Sequence, residues 1–455
     1  MKVLLIWPPS PEYCVLTEEF SCCEPLGLEY IAASLEKEHE VAIIDLRLED
    51  EIEKIIIEMK PDVIGLSIPF TAVVNVCNTI METVRKIDPN IKIIIGGHHP
   101  TVGTTHLNEE LFDYIVRGEG VETFPKLLKA IEDNGDFSSI PGIAYKTNNT
   151  LKYTEEYVLK SLNDYPLPAR HLTKKYRNRY FHAHYKPVTL MRFSYGCPYN
   201  CTFCILWKLC KRNYVSRDND LIIKELESIP EENIYVVDDE AFINVKKMED
   251  LADKILEKGI KKRYHMYVRA DTVANNKRLF EKWAKIGLDS VLIGMESVFE
   301  EDLEQYNKGI TQQTDIQALK ILHENGVEVR ANFIVQQDYT KEKFQQVKEA
   351  VQRLGIERPS FAVLTPLYGT DFYNSVKKDF IIDKPEFFDC YHTFLPTKLE
   401  LKDFYKEFAD LLRFANSRKQ EGGKDKVFYA GNREGAFEEM LQKIEISYNY
   451  YDVRS

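Results

Sequence analysis

The 455-residue sequence predicts an α/β protein built from two successive strand–helix alternations and a mainly helical tail. Three observations carry that reading. Short apolar runs rich in Val, Ile and Leu are each followed by a stretch whose apolar residues recur at helical spacing. This alternation breaks at a proline-containing connector and resumes at Val188. It then ceases beyond Thr370. Strands that alternate with helices in this manner form parallel sheets.

The first alternation opens with a buried strand at residues 2–6, ended by Trp7-Pro8-Pro9. A helix from about Leu26 to Lys37 places Leu28, Ile31, Ala32 and Leu35 along one face. Further strands are expected at Val41 to Leu46, Val63 to Ile68, Lys92 to Ile95 and Asp113 to Val116. The helices between and after them are expected at Ile52 to Met59, Val74 to Ile87 and Glu122 to Glu132. Together they give an N-terminal doubly wound, Rossmann-like parallel sheet over residues 1–145. Ligands of such sheets sit beyond the carboxyl ends of the strands. Those ends carry Trp7-Pro8-Pro9, Ser67-Ile68-Pro69, the run Gly96-Gly97-His98-His99-Pro100-Thr101, and Gly118-Glu119-Gly120. Gly96 and Gly97 let a backbone approach a large ligand closely, although a plain tight turn uses the same residues.

Residues 146–186 read as a linker, preceded by a turn and strand at Pro141 to Tyr145. It opens with a polar turn, Lys146 to Thr150, and holds the extended segment Tyr165-Pro166-Leu167-Pro168-Ala169-Arg170, because each proline biases its predecessor away from helix. His171, His182 and His184 fall here and receive no role. The second alternation predicts strands at Val188 to Phe193, Asn233 to Val237, Arg263 to Val268, Ser290 to Ile293, Val329 to Val335 and Ser360 to Leu364. Helices are expected at Leu221 to Ile229, Val245 to Glu257, Leu279 to Ile286, Ile316 to Asn325 and Lys343 to Arg353. Six βα units over residues 187–372 make a partial (βα)6 TIM barrel, open on one side, with its chemistry at the carboxyl ends of the strands.

Residues 373–455 form a mainly helical C-terminal extension. An aromatic-rich run from Phe387 to Thr397 precedes a helix from Leu401 to Ala415 with apolar Phe404, Phe408, Leu411 and Leu412. Glu421 to Lys426 reads as a flexible loop, and Tyr448, Tyr450 and Tyr451 carry no pattern that assigns them.

A net charge of −12 argues against a nucleic-acid partner held by phosphate neutralisation. Nine cysteines in so long a chain suit a reducing compartment. Cys14, Cys22, Cys23, Cys77, Cys210 and Cys390 are read as unpaired. The start at Met1-Lys2 shows no leader pattern, and no apolar run reaches bilayer-spanning length. A cytoplasmic protein without a transmembrane segment is the expectation.

The chemistry concentrates in Gly196-Cys197-Pro198-Tyr199-Asn200-Cys201-Thr202-Phe203-Cys204, where a strand ends in turn formers. Three thiolates on one tight loop can hold three irons of a 4Fe-4S cube and leave the fourth iron open to an outside ligand. A structural zinc site with Cys210 as fourth ligand is the competing arrangement. In its spacing and its place after a strand, the Cys-x3-Cys-x2-Cys loop resembles the signature of radical S-adenosylmethionine (SAM) enzymes. The resemblance implies that Cys197, Cys201 and Cys204 ligate the cluster, that SAM occupies the open iron, and that Phe203 lies against its adenine. It further implies SAM contacts for Asp239 and Glu240, where the family often has Gly-Gly-Glu, and for Glu296 in Gly-Met-Glu-Ser. Arg269 resembles an arginine that pairs with the SAM carboxylate. Asp238, Asp239 and Glu240 could also simply cap the next helix. Gln336 and Gln337 stand where relatives commonly have glycine, and a surface role is open to them.

The N-terminal sheet, with Ser67, Gly96, Gly97, Gly118 and Glu119 on its carboxyl edge, resembles the cobalamin-binding domain that precedes many radical SAM domains. It lacks the Asp-x-His-x-x-Gly motif of other cobalamin domains, so His98 and His99 are not expected to ligate cobalt. The tail is similar to that of hopanoid-methylase-type enzymes, which implies that it lies on the substrate side. Together these resemblances imply a cobalamin-dependent radical SAM methyltransferase. Its 5′-deoxyadenosyl radical would take hydrogen from an unactivated carbon, and methylcobalamin would deliver the methyl group. The partners implied are a small-molecule or lipid-like substrate and a reductant such as flavodoxin or ferredoxin. The alternatives are a cyclase or oxidative rearrangement enzyme using the same cofactors, a radical SAM enzyme without cobalamin, and a redox sensor.

Overall fold

The computed structural model describes residues 1–12, 14–15, 20–148, 150–421 and 435–451. The chain divides into two compact units, Met1–Glu18 with Glu24–Asn178 and Glu19–Cys23 with Arg179–Ser455.

The first unit is built on a seven-stranded sheet. Its strands are β1 (Lys2–Trp7), β2 (Glu40–Asp45), β3 (Val63–Ser67), β4 (Lys92–Gly96), β5 (Tyr114–Val116), β6 (Ile143–Thr147) and β7 (Thr150–Tyr153). They lie in the order β2-β1-β3-β4-β5-β6-β7. The first five are parallel, and β6 and β7 add an antiparallel edge. Alternate residues of β1 enter different cores. Leu4 and Ile6 pack with Ile56, Val74 and Met81, whereas Val3 and Leu5 pack with Leu28, Ala32, Phe124 and Leu127. A strand covered on both faces is apolar throughout, which is why these segments were so visible in the sequence. The polar turn expected at Lys146 to Thr150 is narrower than that. Strand pairing continues through Thr147↔Thr150, because an exposed edge hairpin needs no apolar alternation.

The second unit carries six parallel strands in sequential order: β8 (Val188–Met191), β9 (Asn233–Val236), β10 (Arg263–Val268), β11 (Leu288–Glu296), β12 (Glu328–Val335) and β13 (Arg358–Val363). Six βα units are therefore present. The strand expected to run to Phe193 stops at Met191, and Ser194–Tyr195 pairs instead with Val215–Ser216. Ser21–Cys22 forms a further short antiparallel pair with Phe181–His182. The tail holds the helices Leu401–Glu421 and Ala436–Glu445. The former runs past the expected Ala415, and the expected loop residues 422–426 lie outside the described residues. Among the described residues no helix is long and apolar enough to cross a membrane.

Candidate functional site

At the carboxyl end of β8 the cysteine loop is held from several sides. Gly196 stands at φ +94°, and a Cβ there would fall 2.0 Å from the Asn213 carbonyl oxygen, so only glycine fits. Its N–H donates to Asp239 Oδ2 at 3.0 Å. Trp207 Nε1 donates to the Cys201 carbonyl at 3.0 Å, and Cys204 N–H donates to the same oxygen at 3.2 Å. Cys201 is buried, and Cys197 and Cys204 are half-buried. Burial pushes the Cys197 thiol up to about 11 and that of Cys204 up to about 12, so metal loading here releases protons. Cys210 turns its sulfur to the backbone of Cys197, whose N–H lies 3.4 Å from it.

The acidic run after β9 divides its labour. Asp238 is buried and accepts from Phe193 N–H at 2.8 Å and from the Ser194 hydroxyl at 2.5 Å, fixing the approach to the cysteine loop. Burial raises its carboxyl to about 7. Asp239 holds Gly196, as above, and Glu240 is buried, with its carboxyl also raised to about 7 by burial. None of the three caps the next helix. Asn244 does, accepting from Lys247 N–H at 3.2 Å.

Arg269 reaches the cysteine loop by stacking on Tyr199, 3.7 Å from the ring centroid. Its Nε and Nη2 donate to the Asp271 carboxylate at 3.0 and 3.2 Å. Phe203 packs edge-on against Tyr306, with ring centroids 5.4 Å apart. Phe203 and Glu296 line one cavity of about 200 Å³, together with Asn332, Phe333, Ile334, Ser360, Ala362, Leu364 and Leu367. Glu296 sits at φ +63° beside a register shift between β11 and β12. Gln336 and Gln337 are buried rather than at the surface; Gln337 Nε2 donates to the Leu364 carbonyl at 2.7 Å.

The carboxyl edge of the first sheet brings Ser67, Gly96 and Val116 into register across β3, β4 and β5. Thr101 ties the edge together, donating its hydroxyl to the Gly97 carbonyl at 2.7 Å and accepting from Gly118 N–H at 2.9 Å. Glu119 accepts from the Tyr165 hydroxyl at 3.2 Å. A Cβ on Gly97 would lie 2.6 Å from the Ile68 carbonyl oxygen, whereas one on Gly118 would meet nothing within 4 Å. The close approach at Gly97 is therefore to the protein's own backbone, and the open side is at Gly118. His99 is buried, with Nδ1 3.1 Å from Thr71 Oγ1 and Nε2 2.9 Å from the Thr105 carbonyl. Burial lowers it to about 4. Both ring nitrogens are occupied, as the lack of a ligand motif implies.

Residues 14–128 match the B12 binding domain family and residues 191–351 match the Radical SAM superfamily. Hopanoid C-3 methylase of Methylococcus capsulatus is 30% identical over 417 residues, covering 90% of this chain and 79% of that protein. The chain belongs to the cobalamin-dependent radical SAM methyltransferases. The cofactors of this family are a 4Fe-4S cluster, SAM and cobalamin. Anaerobic magnesium-protoporphyrin IX monomethyl ester cyclase of Rubrivivax gelatinosus is a more distant relative, 25% identical over 75% of this chain and 62% of the cyclase. The fold is shared with the methyltransferase TsrM from Kitasatospora setae, at a TM-score of 0.73, 16% identity, and coverage of 98% of this chain and 99% of TsrM.

The residues present fit these groups. Three thiols stand on one pinned loop, an aromatic and an acid share the adjoining cavity, and the first sheet's edge is open at Gly118. Lys308 escaped the sequence reading. Its side chain is buried with the ammonium 2.7 Å from Glu296 Oε1. A lone lysine before Gly309 reads as an ordinary turn, so only the fold exposes the pairing.

Proposed function

We propose that the enzyme methylates an unactivated carbon of an apolar, lipid-like substrate seated in the cavity lined by Phe203 and Glu296. The observation that carries this reading is the cavity's lining. Phe333, Ile334, Ala362, Leu364 and Leu367 present an apolar wall, with Asn332 and Ser360 as polar points, the composition expected of a site for a mostly hydrocarbon ligand. The cofactors, when bound, supply the radical and the methyl group. Cys197, Cys201 and Cys204 hold the cluster, and Phe203, Asp239, Glu240, Arg269 and Glu296 shape the SAM side. Ser67, Gly96, Gly97, Gly118 and Glu119 form the cobalamin-facing edge of the 1–145 domain. The segment 146–186, whose Thr150–Tyr153 is an edge strand of the first sheet, the barrel at 187–372 and the extension at 373–455 complete the plan. Phe333, Ile334, Ala362, Leu364 and Leu367 seat the substrate beside the SAM side, and holding the reactants together removes most of the entropic barrier to their meeting. Electrons come from a flavodoxin or ferredoxin in the cytoplasm.

The test is product mass. Anaerobically reconstituted enzyme is supplied with a low-potential reductant, SAM bearing an isotopically labelled methyl group, and a hopanoid as substrate probe. The reading predicts a product heavier by one labelled methyl. A product that has lost hydrogens without gaining methyl would favour the cyclase chemistry seen in the more distant relative.

A further inference from the structure

The turn after the helix Glu300–Gln305 touches the cysteine loop directly at three points and through Arg269 at a fourth. Thr202 N–H donates to the Tyr306 carbonyl at 3.0 Å and the Thr202 hydroxyl to the Gln305 carbonyl at 3.2 Å. Asn307 Nδ2 donates to the Asn200 carbonyl at 3.4 Å. Arg269, stacked on Tyr199, donates through Nη2 to the Lys308 carbonyl at 2.8 Å. The side chain this turn sends inward is Lys308, whose ammonium meets Glu296 at 2.7 Å with each side chain about a tenth exposed or less (8% and 10%). Gly294 makes room for the pair. A Cβ there would lie 2.2 Å from Glu296 Oε1 and 2.9 Å from Lys308 Nζ. Burial works to lower the Lys308 ammonium, but the Glu296 carboxylate bonded to it more than offsets this, so the lysine stays charged.

We propose that Lys308 is a positioning residue of the cluster site, which holds Glu296 toward the cavity and neutralises its carboxylate at the turn that grips the cysteine loop. The Lys308–Glu296 pair thereby keeps either charge from biasing the reduction potential of the bound cluster. This rests on Cys197, Cys201 and Cys204 being the cluster ligands. Reduction adds one electron, and hence one negative charge, to the cluster. A nearby cation favours that step, a nearby carboxylate opposes it, and both act strongly in a water-poor surrounding. As a pair they nearly cancel. Removing one partner of a buried ion pair leaves the other uncompensated.

The test is a dithionite titration, followed by electron paramagnetic resonance, of cluster-loaded, SAM-free full-length enzyme. Lys308→Met is expected to lower the midpoint potential and Glu296→Gln to raise it. The double variant should return close to wild type, and Lys308→Arg should stay there. Unmoved potentials in both single variants, or shifts of the same sign, would overturn the proposal. If Lys308→Met does not load a cluster, the double variant decides. Restored loading with a near-wild-type potential supports the pairing, and failure to load shows that Lys308 acts only through packing. Cluster loading that survives in Cys201→Ala would instead sink the ligand assignment itself.

Discussion

At the carboxyl edge of the first sheet the polar side chains answer one another, whereas at the edge of the second they are turned toward the site. In the first unit Thr71 and Thr105 occupy both nitrogens of His99, and Thr101 bridges Gly97 and Gly118. What remains for a ligand is backbone and open space. In the second unit Glu296, Lys308 and Arg269 lie around a three-cysteine loop that the buried Asp238, the half-buried Asp239 and a turn hold in place. A large planar cofactor needs a shaped surface with little chemistry of its own, and a cluster needs ligands and charge control. The contrast is physical, and substitutions can break or sharpen it.

The largest effect is expected from Gly97→Ala. Its φ of +115° and the 2.6 Å contact with Ile68 should destabilise the protein by roughly 2–4 kcal/mol, read from denaturant unfolding. Gly118→Ala, with open space, should lose only about 1 kcal/mol of stability. It should nevertheless weaken cobalamin binding, measured by corrin absorption after desalting. Undiminished cobalamin retention in Gly118→Ala would show that this edge is not the shaped surface.

Next comes Asp315, buried in the second unit with Oδ1 lacking any hydrogen-bond partner. Burial raises its carboxyl to about 8. Between the unfolded value near 4 and about 8, the folded state holds a proton that the unfolded state has released. Stability therefore falls as pH rises through that window. Asp315→Asn should flatten this part of the stability–pH curve and gain roughly 1–3 kcal/mol at pH 8 and above. A curve parallel to wild type would contradict the assignment.

A smaller loss is expected in the tail, where Ser447, His392 and Asp389 form a buried chain, with Ser447 Oγ 3.0 Å from His392 Nε2 and His392 Nδ1 2.9 Å from Asp389. The arrangement imitates a hydrolytic triad, yet all three residues are about 1% exposed, so a substrate has no access. Ser447→Ala should lower stability by about 1 kcal/mol and leave SAM cleavage intact; a selective loss of turnover would give Ser447 a chemical role. The smallest effect belongs to Cys210→Ser, which should leave iron loading unchanged because its sulfur is engaged by the backbone of Cys197 and Arg212. Lost loading would revive a four-cysteine site.

Local spacing made much of this legible. The two-sided burial of β1 and β3 wrote continuous apolar runs, and the cysteine loop is contiguous in the chain. What escaped depends on distant partners. Asp238 meets Phe193 across 45 residues, a partner that no local spacing around the acidic run announces. Lys308 meets Glu296 only because a bulge and Gly294 permit it. The strand Thr150–Tyr153 and the pair Ser21–Cys22 with Phe181–His182 have too little apolar alternation to announce themselves. The Tyr-rich end became readable only in place, where the Tyr451 hydroxyl lies 2.5 Å from that of Tyr405 and donates to the Thr393 carbonyl at 2.8 Å.

The most direct measurement is 5′-deoxyadenosine formation from SAM by reduced, iron-loaded protein in which Cys197, Cys201 and Cys204 are all alanine. Formation should fall to background in this variant while wild type produces it. Undiminished deoxyadenosine from the variant would contradict the account.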